Sequence, residues 1–362
     1  MTNIAIVAGG SGGHIFPGIA IAQVLSHIRE CEKIIFLGKK GGIEEKIVKE
    51  YEFPFFGIDA EGLVGKNIIC RLKASYKILG GIKESIGILR KQRIHLVLAT
   101  GSYVSVPVVL AAKYIKLPII LQEQNVVPGK ANQFLSRFAQ KICLGYLESE
   151  KYFPEKKCLF TGNPVRSEIL NLKRKTQGEK RILILGGSQG ARAINEAVCA
   201  AWYYLKEKNF YFIHQTGEKD FLWVKRFYEE NHIKGKVFPF LKNMTSAYKE
   251  ANLVISRAGA ITLAEITLLG LPSILIPYPW AIGHQLYNAN LLAEKGAAVV
   301  IKQKDLSGKK LAHVILELLN DNGKLKKMSM AALSLARPKA SEDIANLCIE
   351  TLKEEKYAVA MV

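Results

Sequence analysis

Acid is what this chain is short of. Against 51 lysines and arginines stand 32 aspartates and glutamates, a formal charge of +19. An excess of that size points to an anionic partner: nucleic acid, an anionic membrane surface or a phosphorylated substrate. Lysine spread over a solvated surface would give the same count. Also lacking is any apolar run near the ~20 residues that a membrane span requires. No basic leader precedes the opening MTNIAIVAGG, so no signal peptide is expected. Six cysteines (Cys31, Cys70, Cys143, Cys158, Cys199 and Cys348) form no CxxC pair. They read as buried thiols in a reducing compartment, against a disulfide framework or a zinc site.

What is present is a large apolar fraction, 49% of 362 residues, enough for two domains of ordinary size. The most informative stretch runs from Leu253 to Ala289. Leu253–Ile255 is short and apolar, as a buried strand is. Ser256–Arg257–Ala258–Gly259 breaks it, and Ala260–Leu269 then has helical spacing, ended by Gly270–Leu271–Pro272. Ser273–Ile276 is the next strand, giving a strand–loop–helix–strand unit of a parallel sheet. No acidic residue stands in the helix's first turn, and free N–H groups there favour an anion, usually phosphate. Glu265 shares a helix side with Ile261 and could accept two hydroxyls, such as those of a ribose. An ordinary βαβ unit with a solvated glutamate has the same pattern.

Two glycine loops punctuate the chain. Asn3–Ala8 reads as a strand, Gly9–Gly10–Ser11–Gly12–Gly13–His14 follows, and a helix begins near Pro17 and runs to about Ile28. This suits phosphate or sugar binding. It is not the dinucleotide fingerprint, because with Gly10 and Gly12 as the first two glycines Ile15 holds the third place. The next strand, Ile34–Leu37, ends in Gly38–Lys39–Lys40 with no acid for a ribose, so a nicotinamide enzyme is disfavoured. His14 could reach a ligand from its loop; a histidine that merely caps the loop is the plainer reading. Gln122–Asn125 places polar side chains at a strand end. Leu172–Lys180 is polar and lysine-rich, as an interdomain linker would be. Beyond it Ile182–Leu185 leads into the second loop, Gly186–Arg192. In Gly62–Arg93, basic residues interleave with apolar ones; such a segment can lie on an anionic membrane, or pack its apolar stripe on a sheet. Ile344–Glu355 is a last helix that could cross back to the first domain.

Taken in order, GGSGGH (Gly9–His14), GSYVS (Gly101–Ser105), QEQN (Gln122–Asn125), GNPVR (Gly162–Arg166), GGSQGA (Gly186–Ala191), SRAGAITLAE (Ser256–Glu265) and HQLYNA (His284–Ala289) resemble the MurG family of UDP-N-acetylglucosamine transferases. No single glycine loop is specific; the ordered set is, and it spans nearly the whole chain. The resemblance implies a GT-B fold: two Rossmann-like α/β domains with parallel sheets facing across a cleft. Residues 1–163, with a helix at about 340–362, would form the acceptor- and membrane-binding domain, and 164–339 the UDP-GlcNAc-binding domain.

The implied reaction is inverting transfer of GlcNAc from UDP-GlcNAc to undecaprenyl-pyrophosphoryl-MurNAc-pentapeptide. It would take place at the cytoplasmic face of the plasma membrane on anionic lipid, with no nucleic acid. By motif match, His14 and Glu123 would be catalytic. Arg257, Gly259, Ala260, Ile261 and Thr262 would sit by the donor diphosphate, Glu265 by the ribose and Leu241 by the uracil. Ser188, Gln189, Gln285 and Asn288 would face the diphosphate or GlcNAc, and Arg166 the nucleotide. Gly10–Gly13 and Gly101, Ser102 and Tyr103 would lie near the acceptor's diphosphate, with Ser11, Gly12, Gly13 and Asn125 also counted as donor contacts.

Gln122 stands where the family usually has histidine, Ala258 where serine is common, and Gly283 where an acid often precedes HQ. No Asp-x-Asp motif occurs, which fits a transferase needing no metal and no other cofactor. Rival readings are a related glycolipid transferase, a UDP-sugar epimerase, or a basic membrane- or nucleic-acid-binding protein; for RNA the aromatic–basic platforms are missing.

Overall fold

The computed structural model describes residues 2–62, 68–174, 178–187, 189–279 and 283–360, with backbone alone for 68–76 and 356–360. The chain divides into two compact units, Met1–Ser167 with Arg337–Val362, and Glu168–Ala336. In the first, β1 (Thr2–Val7), β2 (Cys31–Lys39), β3 (Phe55–Ile58), β4 (Leu96–Ala99), β5 (Ile119–Glu123), β6 (Lys141–Leu144) and β7 (Cys158–Phe160) form one parallel sheet ordered β3-β2-β1-β4-β5-β6-β7. The strands read as unbroken apolar runs because helices cover both faces. Ile4 and Ile6 pack on one side with Ile15, Ile19, Ile344 and Cys348. Ala5 and Val7 face the other side, with Leu89, Val104 and Val108. Full burial of each isoleucine contributes roughly 1.5–3 kcal/mol. The last helix, Ala340–Ala360, thus belongs to the first unit's core.

The second unit repeats the plan. β8 (Lys180–Leu185), β9 (Phe210–Gln215), β10 (Gly235–Phe238), β11 (Leu253–Ser256), β12 (Ser273–Leu275) and β13 (Ala298–Val300) form a parallel sheet ordered β10-β9-β8-β11-β12-β13. In both sheets the strand order reverses beside the first strand, between β1 and β4 and between β8 and β11. The carboxyl ends at such a point are where open α/β sheets bind ligands. Val7 pairs with Ala99 and Leu185 with Ser256, so in each unit two loops leave the switch point side by side. They are the glycine loop after β1 with the Thr100–Tyr103 turn after β4, and the glycine loop after β8 with the Arg257–Gly259 turn after β11.

Some elements differ from the sequence reading. The first helix spans Gly12–Leu25, so Gly12, Gly13 and His14 form its first turn, and Pro17 lies in its second turn. Proline there costs one backbone bond, the one its missing N–H would give to Gly13. The break between the units falls earlier than Leu172–Lys180, between Ser167 and Glu168, and residues 175–177 lie outside the described residues. Arg174 already sits on the second unit, donating to the carbonyls of Leu269, Gly270 and Ala251, and Lys180 opens β8. Of Gly62–Arg93, residues 63–67 lie outside the described residues, and Ile68–Lys91 is one helix. Its Ile82, Ile86 and Ile88 pack on the core, while Leu79, Lys77, Lys83, Arg90 and Lys91 are exposed. The described cysteines, Cys31, Cys143, Cys158, Cys199 and Cys348, are free thiols. Burial pushes Cys143 and Cys199 up to about 12 and Cys31 to about 11, so they stay protonated.

Candidate active site

In the first unit the switch point is built around His14. Its Nδ1 lies 2.8 Å from the carbonyl oxygen of Thr100, at the end of the neighbouring strand. A carbonyl only accepts, so Nδ1 carries the proton and Nε2 keeps a lone pair. The Thr100 hydroxyl reaches back to the carbonyl oxygens of His14, at 2.7 Å, and Val7, at 3.1 Å. One buried threonine therefore holds both ring and main chain. Gly101 has φ +100, and a β-carbon there would stand 3.2 Å from the imidazole. Glycine at 101 lets the turn close on the ring. Gly10 has φ +80 and faces the Ser102 hydroxyl at 3.0 Å from where a β-carbon would be. Gly10, Gly101, Ser102 and Tyr103 are thus brought together. Burial, then the nearby carboxylates of Glu44 and Glu61, raises the Tyr103 phenol above its ordinary value.

Glu123 ends β5, buried to 1% exposure. One carboxylate oxygen accepts from the Asn125 backbone N–H (2.9 Å) and side-chain amide (3.1 Å). The other accepts from the Gly129 N–H (3.2 Å) and the Asn132 amide (2.9 Å). Four donors on one carboxylate occupy the lone-pair directions of both oxygens. Its geometry is that of a brace for the 125–129 turn, and Asn125 is one of the groups it holds. Around it Gln122, Gln124, Asn132 and Asn163 form a buried amide network. Gln122 donates to Asn163 (3.1 Å), Asn163 to the Gln124 carbonyl (2.9 Å), and Gln124 to the Thr100 carbonyl (2.6 Å) that also holds His14. Ser11, Gly12 and Gly13 cap and begin the helix that carries His14. Arg166 stacks 4.3 Å from the centre of the Phe16 ring, which also flanks Gly12. Its Nη1 reaches Tyr51 Oη at 3.3 Å.

In the second unit the helix Ala260–Leu268 starts at Gly259 with no side-chain cap and no acid in its first turn. Nothing stands closer than 3.9 Å to a β-carbon built at Gly259. The helix start is therefore approachable at Gly259, and the dipole of the helix favours an anion there. The turn before it is clamped from behind. Gln285 Oε1 accepts from the N–H groups of Ala258 (3.2 Å) and Tyr278 (3.0 Å), and Asn288 Nδ2 reaches the Ala258 carbonyl at 3.4 Å. Gln285 keeps its amide N–H groups for other partners. Arg257 is more engaged than its motif suggests. Its Nη1 donates to the carbonyls of Ile276 (3.0 Å) and Pro277 (3.3 Å), its Nη2 to Gln303 Oε1 (2.7 Å). Burial lowers its pKa.

Glu265 is not solvated: it is 4% exposed, and Oε2 accepts the phenolic hydrogen of buried Tyr248 at 2.8 Å. Leu241 is buried in the connection between β10 and the helix Met244–Glu250 that carries Tyr248. In the glycine loop Gln189 is exposed, and Ser188 lies outside the described residues. Gly190 sits against the Thr216 carbonyl, 2.0 Å from where a β-carbon would be, so no other residue fits. Gln215 donates to the Gly187 carbonyl at 3.0 Å and steadies the loop.

Sequence reasoning missed what lies behind these groups: Thr100 and Gln124 behind His14, Tyr248 behind Glu265, and a buried set below the second glycine loop. There His214 Nε2 donates to Asn195 Oδ1 (3.0 Å), and its Nδ1 accepts from Tyr228 Oη (3.1 Å). Asn195 donates in turn to Asp220 (2.8 Å). Burial pulls His214 down to about 3, opposed only by Asp220. A His-Gln-Thr-Gly run at a strand end was the available signal. Among the described residues, no group of three or more His, Cys, Asp or Glu could hold a metal ion.

Comparison with known proteins places both units. The N-terminal domain of glycosyltransferase family 28 matches residues 4–144, and the C-terminal domain of that family residues 181–345. A UDP-N-acetylglucosamine–N-acetylmuramyl-(pentapeptide) pyrophosphoryl-undecaprenol N-acetylglucosamine transferase of Halothermothrix orenii is 40% identical over 370 residues, covering 97% of this chain and 99% of its own. The crystal structure of MurG from Acinetobacter baumannii superposes with a TM-score of 0.78 at 30% identity, covering 97% and 100% of the two chains. A UDP-GlcNAc 2-epimerase from Neisseria meningitidis superposes at 0.69 with 13% identity, over 96% and 100%, a likeness of fold alone.

Proposed function

The chain belongs to glycosyltransferase family 28, and from that premise we propose that it moves GlcNAc from UDP-GlcNAc to the C4 hydroxyl of the muramoyl sugar of undecaprenyl-pyrophosphoryl-MurNAc-pentapeptide (lipid I), releasing UDP and lipid II. It is a UDP-GlcNAc-dependent glycosyltransferase of peptidoglycan synthesis. The observation that carries the chemistry is the His14 ring, whose Nδ1 is committed to Thr100 so that Nε2 is the nitrogen that can take a proton.

Displacing UDP from an anomeric carbon makes three demands. The attacking hydroxyl must lose a proton, the sugar must pass through an oxocarbenium-like state, and the departing diphosphate must be stabilised. As the acceptor oxygen bonds to C1, its proton passes to His14 Nε2, and the C1–O bond breaks with its electron pair leaving on UDP. Inversion follows when the base works on the face opposite the leaving group. The N–H groups of Gly259–Thr262 take the diphosphate's developing charge, with Arg257 adding its field from behind the turn. No metal is needed for that role. Glu265 accepts the ribose hydroxyls, the backbone at Leu241 meets the uracil, and Ser188, Gln189, Gln285 and Asn288 contact the diphosphate or GlcNAc. Arg166 contacts the nucleotide. In the first unit Gly10 and Gly101–Tyr103 hold the acceptor's diphosphate, and Glu123 braces Asn125. The protein works as a peripheral protein at the cytoplasmic face of the plasma membrane, resting on anionic lipid through the exposed residues of the helix Ile68–Lys91. No helix among the described residues is long and apolar enough to cross a membrane.

Radiolabelled UDP-GlcNAc with a lipid I analogue tests the proposal. A labelled disaccharide lipid is expected. Transfer only to another glycolipid, or conversion of UDP-GlcNAc to its epimer without acceptor, would overturn it.

A further inference from the structure

Tyr248 is the largest fully buried side chain among the described residues, and its phenol has one feature its packing does not require. It donates to Glu265 Oε2 at 2.8 Å. Glu265 is 4% exposed. A buried phenol needs a hydrogen-bond acceptor, and a buried carboxylate needs hydrogen-bond donors. Each supplies the other. The bond also fixes the carboxylate in rotation about its last torsion, which is otherwise broad. Tyr248 rides on the helix Met244–Glu250, which follows the Leu241 turn directly and is pinned at its start by Asn243, accepting from the Ser246 N–H at 3.0 Å.

We propose that Tyr248 is a positioning residue for nucleotide recognition. It holds the Glu265 carboxylate correctly turned, and so sets the preference for a ribonucleoside diphosphate over its 2′-deoxy counterpart. This rests on the reading of Glu265 as the acceptor of the ribose hydroxyls. A vicinal diol donates two hydrogen bonds in one plane, and only a carboxylate of matching orientation takes both. Without the phenol the carboxylate loses a charge-assisted partner and its plane is no longer set.

The full-length enzyme is assayed with UDP-GlcNAc and with 2′-deoxy-UDP-GlcNAc, and UDP and 2′-deoxy-UDP are compared by the rise in Tm each produces. Tyr248→Phe keeps the ring and removes the hydroxyl. The expected result is a threefold to tenfold rise in KM for UDP-GlcNAc at nearly unchanged kcat, and a smaller gap between ribo and deoxy ligands. Glu265→Gln should abolish the ribo preference. Adding Tyr248→Phe to Glu265→Gln should change it little more, and this double variant also relieves the buried carboxylate if the single one folds poorly.

A ribo preference unchanged in Glu265→Gln would overturn the ribose reading itself. A preference lost in Glu265→Gln but intact in Tyr248→Phe, or a double variant far worse than Glu265→Gln, would overturn the role of Tyr248 alone.

Discussion

His14 and Glu123 are both candidates for the base, and their surroundings separate them. The imidazole donates one nitrogen to Thr100 and leaves the other for a proton, whereas both carboxylate oxygens of Glu123 are already taken up by four N–H donors. General-base catalysis is typically worth ~10²–10⁴ in rate. His14→Ala should lower kcat by that order while KM for UDP-GlcNAc holds; a wild-type kcat would remove His14 from the role. His14→Gln should restore little if the proton moves to the ring, and much if the residue only aligns the hydroxyl. Glu123→Gln should cost mainly stability, ~1–3 kcal/mol, because an amide group would face N–H donors. A thermal scan beside the kinetics decides this. A normal Tm with a kcat loss as deep as that of His14→Ala would transfer the base to Glu123.

At the scale of elements, two helices carry testable charge. The start of Ala260–Leu268 is assigned the leaving group's charge, so activity should be near full in EDTA. A loss greater than tenfold, restored by magnesium or manganese, would contradict that assignment. The helix Ile68–Lys91 turns Ile82, Ile86 and Ile88 inward and leaves Lys77, Lys83, Arg90, Lys91 and the 65%-exposed Leu79 to solvent. Lys77 is paired with Glu61 at 2.9 Å, which reduces the charge it can offer. Vesicle co-sedimentation should show binding to anionic lipid that weakens with salt, since exposed charges are screened beyond about 10 Å at 0.1 M. Binding indifferent to lipid charge and to salt would make the basic residues a solvated face and nothing more.

At the scale of the whole molecule, acid stability is the readout. His214 is held near 3 when folded against an ordinary 6.5. Between those values the unfolded chain binds a proton that the folded one refuses. Stability therefore falls as pH drops from about 6.5 toward 3, with a limiting slope of about 1.4 kcal/mol per pH unit for this one group. Urea midpoints for the natural chain and for His214→Gln, measured across that window, should converge as pH falls. Parallel curves would mean that His214 is not excluded from protonation.

The sequence showed the strands and helices around the two glycine loops and the Leu253–Ile276 unit, because apolar runs bounded by glycine and proline are local signals; the short β3 and β13 and the helix Met244–Glu250 carried no such signal. It also determined the two glycine loops and the uncapped start at Gly259, which depend on residue type along a few consecutive positions. Boundaries drifted where local and tertiary preferences disagreed: Gly12 and Gly13 are poor helix formers, yet they form a helical turn because β1 and β4 fix where that turn must begin. The tertiary structure alone decided the partners. That Thr100 holds His14, that Tyr248 meets Glu265, and that Arg257 spends its donors on Ile276, Pro277 and Gln303 are contacts between segments up to 86 residues apart. Strand order sets such contacts, and strand order is a property of the sheet: β4 lies beside β1, and β11 beside β8, only once the intervening chain has crossed over and packed.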